Sequence, residues 1–187
     1  MRTVEVTRTY VEVKQDEFQP ARLDDEHLRV ERVLGCAPTF YRYLYTEVGR
    51  ANYWTDRLAW TNQQIQSHLA APTVTLYLLT FRGCPAGYFE LVNLMPPTQA
   101  EIEINYLGIL PEFQGHGLGK HLLTVAVETC FARGAKRVQL DTCTLDHPAA
   151  LRNYLQRGFK VYMTEKFFRQ LPDTATEFAE AGRLAAG

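Results

Sequence analysis

The 187-residue sequence has no CxxC pair, no run of like charge, no internal repeat and no apolar stretch of membrane length. Each absence excludes a class of protein. Cys36, Cys84, Cys130 and Cys143 stand far apart, so neither a zinc knuckle nor a redox couple is indicated and buried free thiols are expected. The five histidines contain no HxxxH or HExxH spacing, and no metal is expected. Twenty basic side chains face twenty-one acidic ones without any basic stripe, which leaves nothing suited to a nucleic acid backbone. A bilayer span needs roughly 20 consecutive apolar residues, and the opening "MRTVEVTRTYVEVKQDEF" carries no apolar signal segment. The expectation is a cytoplasmic protein with no membrane partner, monomeric or homodimeric.

What is present suffices for one domain over residues 1–187, with 46% hydrophobic residues for a core and 22% charged residues for a wet surface. "VEVTRTYVEV" and "LRVERVLG" alternate as strands do, and "APTFYRYLYTEVGRANYW" places Phe40, Tyr43, Leu44 and Val48 at helical spacing. "TNQQIQSHLAAP" reads as a short helix capped by Thr61. Two apolar runs flank "RGCPAG" and predict a hairpin, while "AEIEINYLGIL" alternates through Tyr106 and loses the pattern at Gly108, where a bulge is expected. A helix carrying Leu118, Leu122, Val125, Ala126 and Cys130 follows, then the strand "RVQLDTC", the helix "HPAALRNYLQR" and the strand "FKVYMTEKFF". The class is α/β (α+β): a mixed, mostly antiparallel twisted sheet with one strand-helix-strand crossover near residues 102 to 142. Residues 172–187 form a tail or a terminal helix in this reading.

The segment "QGHGLGK" packs three glycines between a strand and a helix. A Walker loop needs a glycine where Gln114 stands and a Ser or Thr where His121 stands, and a dinucleotide loop needs G-x-G-x-x-G whereas Gly115, Gly117 and Gly119 are spaced by two. Both readings fail. What remains is Q/R-x-x-G-x-G/A, in which glycines admit a ligand to the backbone and amides at a helix N-terminus attract a phosphate. A bare turn joining strand to helix is the alternative.

The block "YLGILPEFQGHGLGKHLL" followed by "HPAALRNYLQRGF" resembles the GNAT superfamily of acetyl-CoA-dependent N-acetyltransferases, over about residues 74 to 162. The resemblance also extends to bacterial members that carry a "TCTLDHPAAL" segment. It implies helices on both faces of the sheet and central strands that splay. It places the pyrophosphate of acetyl-CoA on Gln114, Gly115, His116, Gly117, Leu118, Gly119 and Lys120, and the pantetheine arm along the backbone of Leu107 and Ile109. An amide near Ile109 would steady the developing oxyanion. His147 stands where the family commonly has Asn.

Acetyl transfer to an amine needs a base, because an alkylamine with a pKa near ~10.4 is protonated at neutral pH. Glu101, Glu103 and Asn105 share one face of their strand, opposite Ile102, Ile104 and Tyr106. By resemblance Glu103 is the base, with Glu101 in reserve, and Tyr154 is the acid that protonates the departing sulfur. The reading of "NYWTDRLAWT" assigns Trp54 and Asp56, with Glu90, to a site for a small-molecule amine or a peptide amine. A non-catalytic acetyl-CoA-binding sensor and an acyltransferase with a longer acyl group or a hydroxyl acceptor are the competing readings.

Overall fold

The alternating N-terminal stretch forms β1 (Arg2–Val13), followed by β2 (Leu28–Arg32), α1 (Pro38–Gly49) and α2 (Asn62–Leu69). Pro38 opens α1 where a missing N–H costs nothing, and Thr61 caps α2 in a reciprocal capping box with Gln64. Next come β3 (Val74–Phe81), β4 (Cys84–Asn93), β5 (Glu101–Ile109), α3 (Leu118–Ala132), β6 (Arg137–Cys143), α4 (Ala150–Gln156) and β7 (Lys160–Leu171). The computed structural model describes residues 2–171, so the predicted tail or helix over 172–187 lies outside the described residues. None of the described helices is long and apolar enough to cross a membrane.

The expected hairpin joins β3 to β4, but its turn is tighter than the sequence "RGCPAG" suggests. Arg82 and Gly83 alone make it, with φ of 51° and 80°, the positive values that match the twist of paired strands. Pro85 and Gly87 belong to β4 instead.

Seven strands form one sheet in the order β2-β3-β4-β5-β6-β1-β7. Every pairing is antiparallel except β5 with β6, the parallel pair demanded by the β5-α3-β6 crossover. That pair is short. Glu101, Ile102 and Glu103 match Arg137, Val138 and Gln139, and beyond Glu103 the two strands no longer bond. The first strand of the chain inserts between β6 and β7, a placement that alternation along β1 does not disclose.

Two buried clusters occupy the two faces. Phe89, Leu91, Ile102 and Ile104 pack under α3 and α4 with Leu122, Ala126 and Tyr154, whereas Tyr88, one residue from Phe89, packs with Tyr41, Leu44, Tyr45 and Val48 under α1. The segment after β1 is fastened to α3 by side chains: Thr124 accepts the Ala21 amide at 2.9 Å and His121 Nδ1 accepts the Leu23 amide at 3.1 Å.

The bulge in β5 sits elsewhere than predicted. Leu91 pairs with Ile104 and Glu90 with Tyr106, so Asn105 is the extra residue. Tyr106 is thereby carried to the face that holds Glu90 rather than that of Ile104. Gly108 keeps the ladder, paired with Tyr88, and its role is steric: a Cβ there would lie 2.2 Å from Val48 Cγ1 on α1.

Candidate active site

Beyond Glu103 the parted strands enclose a cavity of about 650 Å³. Its walls come from β5 (Ile104 to Ile109), β6 (Leu140, Asp141, Cys143), the loop into α3, and α4 with Tyr154. The opening runs through the sheet. One end meets the glycine turn on the α3 side, and the other is bounded by Trp54, Asp56, Arg8 and Arg169.

At the first end α3 begins without any side-chain cap, so its first-turn amides are available to a ligand. Gly115 and Gly117 hold φ of 82° and 74°, values costly for any other residue, so the turn itself requires them. Gly119 differs. Its backbone is ordinary helix, and an added Cβ would meet only Ile109 Cγ1 at 3.8 Å, a normal contact. The fold does not need a glycine there, and the space it leaves faces the cavity that Gly119 lines. Leu107, Ile109, Gln114, Leu118, Lys120 and His147 line the same cavity. His116 does not; its Nδ1 lies 3.0 Å from the Gln114 carbonyl.

Tyr154 is 8% exposed and lines the cavity, and its hydroxyl makes no hydrogen bond among the described residues. Burial, reinforced by Asp146 and Asp141, raises its phenol well above the usual range. Glu103 stands at the last joined rung, half-buried, with neither a hydrogen bond nor an ion pair among the described residues. Burial, then the charges of Asp141 and Glu90, raises its carboxyl above the ordinary carboxylate range. Glu101 is already committed, since Arg137 Nη2 bonds it at 2.8 Å; neither Glu101 nor Glu103 lines the cavity, whose β5 wall begins at Ile104, next to Glu103.

Two of the residues assigned to the acceptor from sequence are engaged otherwise. Glu90 is fully buried and saturated. Arg57 grips both its oxygens at 2.8 and 2.9 Å, Tyr41 donates to Oε2 at 3.0 Å, His68 Nε2 lies 3.0 Å from Oε1, and Asn105 Nδ2 donates to Oε1 at 2.9 Å. It therefore has no capacity left for an amine. Burial alone would raise its carboxyl, but the His68 and Arg57 partners outweigh burial and hold it below the usual value. Asp56 lines the cavity, but Arg169 Nη2 bonds it at 2.9 Å.

Trp54 spans the opening on this side. Its Nε1 donates to Asp146 Oδ1 at 3.1 Å, and its ring packs on Tyr106 with centroids 4.9 Å apart. Asp146 also accepts from Thr142 Oγ1 and the Cys143 amide, both at 2.8 Å, which fixes the loop between β6 and α4. Asp141, Arg8, Arg169 and Asp146 lie outside the site read from sequence. Alternation in "RVQLDTC" puts Asp141 on a defined face, but only the parting of β5 from β6 turns that face into a cavity wall.

The model of the acetyltransferase (GNAT) family matches residues 37–159. The chain belongs to that family. Among curated relatives it is 31% identical over 111 residues to an N-alpha-acetyltransferase, RimI, of Mycobacterium tuberculosis, covering 59% of this chain and 68% of that protein. It is 32% identical over 91 residues to a Bacillus subtilis protein provisionally named a ribosomal protein bS18-alanine N-acetyltransferase, covering 48% of this chain and 58% of that one. A GCN5-related N-acetyltransferase from Sphaerobacter thermophilus superposes with a TM-score of 0.65 at 18% identity, over 93% of this chain and 55% of the other. The chain thus spans less than two thirds of the Bacillus relative and of the Sphaerobacter structure. The fold of this family member is the mixed, mostly antiparallel sheet expected from its sequence.

Proposed function

We propose that this GNAT chain moves an acetyl group from acetyl-CoA to a primary amine by direct attack in a ternary complex. The observation carrying the reading is the parting of β5 from β6 just beyond Glu103, which joins the uncapped N-terminus of α3 to the α1 face through one cavity. Acetyl-CoA supplies the thioester-activated acetyl group. The amides from Gly115 to Lys120 are suited to its pyrophosphate, because uncapped first-turn N–H groups and the helix dipole favour an anion without a charged partner. Leu107, Ile109 and His147 border the cavity that its arm would enter.

Glu103 takes the proton of the acceptor amine. A carboxylate with no partner among the described residues and with a raised pKa is poised for that role, and it favours a catalyst over a sensor that only binds. Tyr154 gives its proton to the departing sulfur. A phenol near ~10 and a thiol near ~8.5 make that transfer uphill by about 2 kcal/mol, and burial of Tyr154 steepens it, so proton transfer has to accompany C–S cleavage. The two relatives are named for acetylation of α-amines, which supports an amino-terminal or small primary amine here.

The test is release of free thiol from acetyl-CoA on addition of primary amines. Amine-dependent release that collapses in Glu103→Gln and Tyr154→Phe, with cofactor affinity retained, supports the reading. Tight binding of acetyl-CoA without release across a broad amine panel would instead support the sensor.

A further inference from the structure

The acidic groups around the crevice divide sharply by what they already hold. Asp56 is bonded to Arg169, Asp146 to Trp54, Thr142 and the Cys143 amide, Glu101 to Arg137, and Glu90 to four side chains. Asp141 is different. It lines the cavity, its side chain is 37% exposed, and it accepts no hydrogen bond among the described residues.

Its one ionic neighbour among the described residues is loosely placed. Arg8 Nε lies 3.3 Å from Asp141 Oδ2 yet makes no hydrogen bond, and the same guanidinium lies 3.7 Å from Glu165 and 5.1 Å from the centre of the Phe167 ring. Among the described residues one cation is thus shared between two carboxylates, Asp141 at the cavity wall and Glu165. Asp141 also lies two positions beyond Gln139, the partner of Glu103 at the last joined rung, and so on the same face of the sheet as Glu103. On that face stand Tyr106 and the Trp54 crossbar, whose rings present apolar surface to whatever enters.

We propose that Asp141 is the acceptor-binding carboxylate: it receives the amine as its ammonium ion, by charge-assisted hydrogen bonds, and holds it beside Glu103. The inference rests on the acetyl-transfer reading above and narrows its substrate class to amines that arrive as cations. Asp141 keeps its own proton state unchanged; one ammonium proton goes to Glu103, the neutral nitrogen bonds to the acetyl carbon as the C–S bond breaks, sulfur takes the Tyr154 proton, and the second proton that nitrogen loses as the amide forms restores the Tyr154 phenol. Glu103 therefore governs the rate constant and Asp141 the capture of the cation.

The experiment compares two nearly isosteric acceptors, n-propylamine, a cation at neutral pH, and O-ethylhydroxylamine, which is neutral there. In Asp141→Asn the kcat/KM for propylamine should fall about tenfold or more, through KM, which is the worth of a hydrogen bond to a charged group. The ratio of propylamine to O-ethylhydroxylamine kcat/KM should fall by a similar factor, because any change that the lost Asp141 charge transmits through Glu103 or Tyr154 is common to both acceptors; the acetyl-CoA affinity should hold within about twofold, and Asp141→Glu should recover part of the loss. Titration of the two amines into CoA-saturated protein, followed by NMR, reads the same ratio where turnover is slow. An unchanged propylamine to O-ethylhydroxylamine ratio in Asp141→Asn removes the role of Asp141 and leaves acetyl transfer standing. Wild-type protein that binds no acetyl-CoA removes the transferase reading and this inference with it.

Discussion

Asn105 Nδ2 donates to Glu90 Oε1 at 2.9 Å, and this bond ties the bulge in β5 to the buried ion pair beneath α1. The bulged residue lies where β5 leaves β6, so the geometry of the crevice is anchored by a charge that never meets it. Arg57, which neutralises that charge, is itself held between rings, with its guanidinium carbon 4.5 Å from the Tyr106 centroid and 4.7 Å from that of Trp60.

Glu90→Gln should therefore act on stability before it acts on acceptor choice. Removing one partner of a buried pair leaves Arg57 uncompensated, and about 3–5 kcal/mol of stability should be lost, measured by urea unfolding. The wild-type pH dependence follows with its sign. The folded-state pKa of Glu90 is depressed, so its contribution is complete above the unfolded value of ~4.3 and is lost as pH falls through the folded value. Glu90→Gln should flatten that acid limb.

Gly119→Ala separates the needs of the fold from those of a ligand. Ala is the better helix residue and its Cβ meets only a normal contact, so the melting temperature should hold or rise, by up to about 0.5–1 kcal/mol in stability. Acetyl-CoA affinity should fall, because the methyl group occupies the approach to the first-turn amides. Gly117→Ala, at a φ of 74°, should instead cost stability. Calorimetric binding and thermal melts on the same two variants check both halves.

The pH profile of turnover should carry the signature of Glu103. Its pKa is raised, and the base works when ionised, so kcat/KM should climb with pH through a limb lying above the ordinary ~4.3 of a glutamate. Glu103→Gln should erase that limb and slow turnover by roughly 10²- to 10⁴-fold. Tyr154, raised above the usual ~10 of a phenol, should remain a proton donor throughout the neutral range, and no alkaline loss below that value should trace to it.

Several of these residues were legible in the sequence because their signals are local. The turn from Gln114 to Lys120 declares itself by three spaced glycines, and Glu103 by strict alternation between Ile102 and Ile104. The bulge was not, since Gly108 breaks the pattern for a separate reason, the close approach of Val48. Glu90 and Asp56 looked like free carboxylates in the absence of Arg57 and Arg169, their partners from distant parts of the chain. Asp141 becomes part of the site only because β5 and β6 part beyond Glu103, and Arg8 only because β1 inserts next to β6, a pairing between residues more than a hundred positions apart that no local pattern encodes.

His121 belongs to the fold rather than the chemistry, and acid should show it. Its Nδ1 accepts the Leu23 amide only while unprotonated, and burial, with Arg22 nearby, lowers its pKa. A depressed histidine contributes stability that is complete above the unfolded ~6.5 and lost as pH falls through the folded value. Amide exchange at Leu23 should accelerate over that interval, and His121→Gln, which can accept the same bond without titrating, should not show the change.

The account stands most directly on where acetyl-CoA meets the chain, and amide chemical-shift mapping of isotope-labelled protein measures that. Saturable shifts confined to Gly115–Lys120 and to the β5 residues from Asn105 to Ile109 are the expected result. Titration that moves neither set, or that moves amides remote from the parted strands, would contradict it.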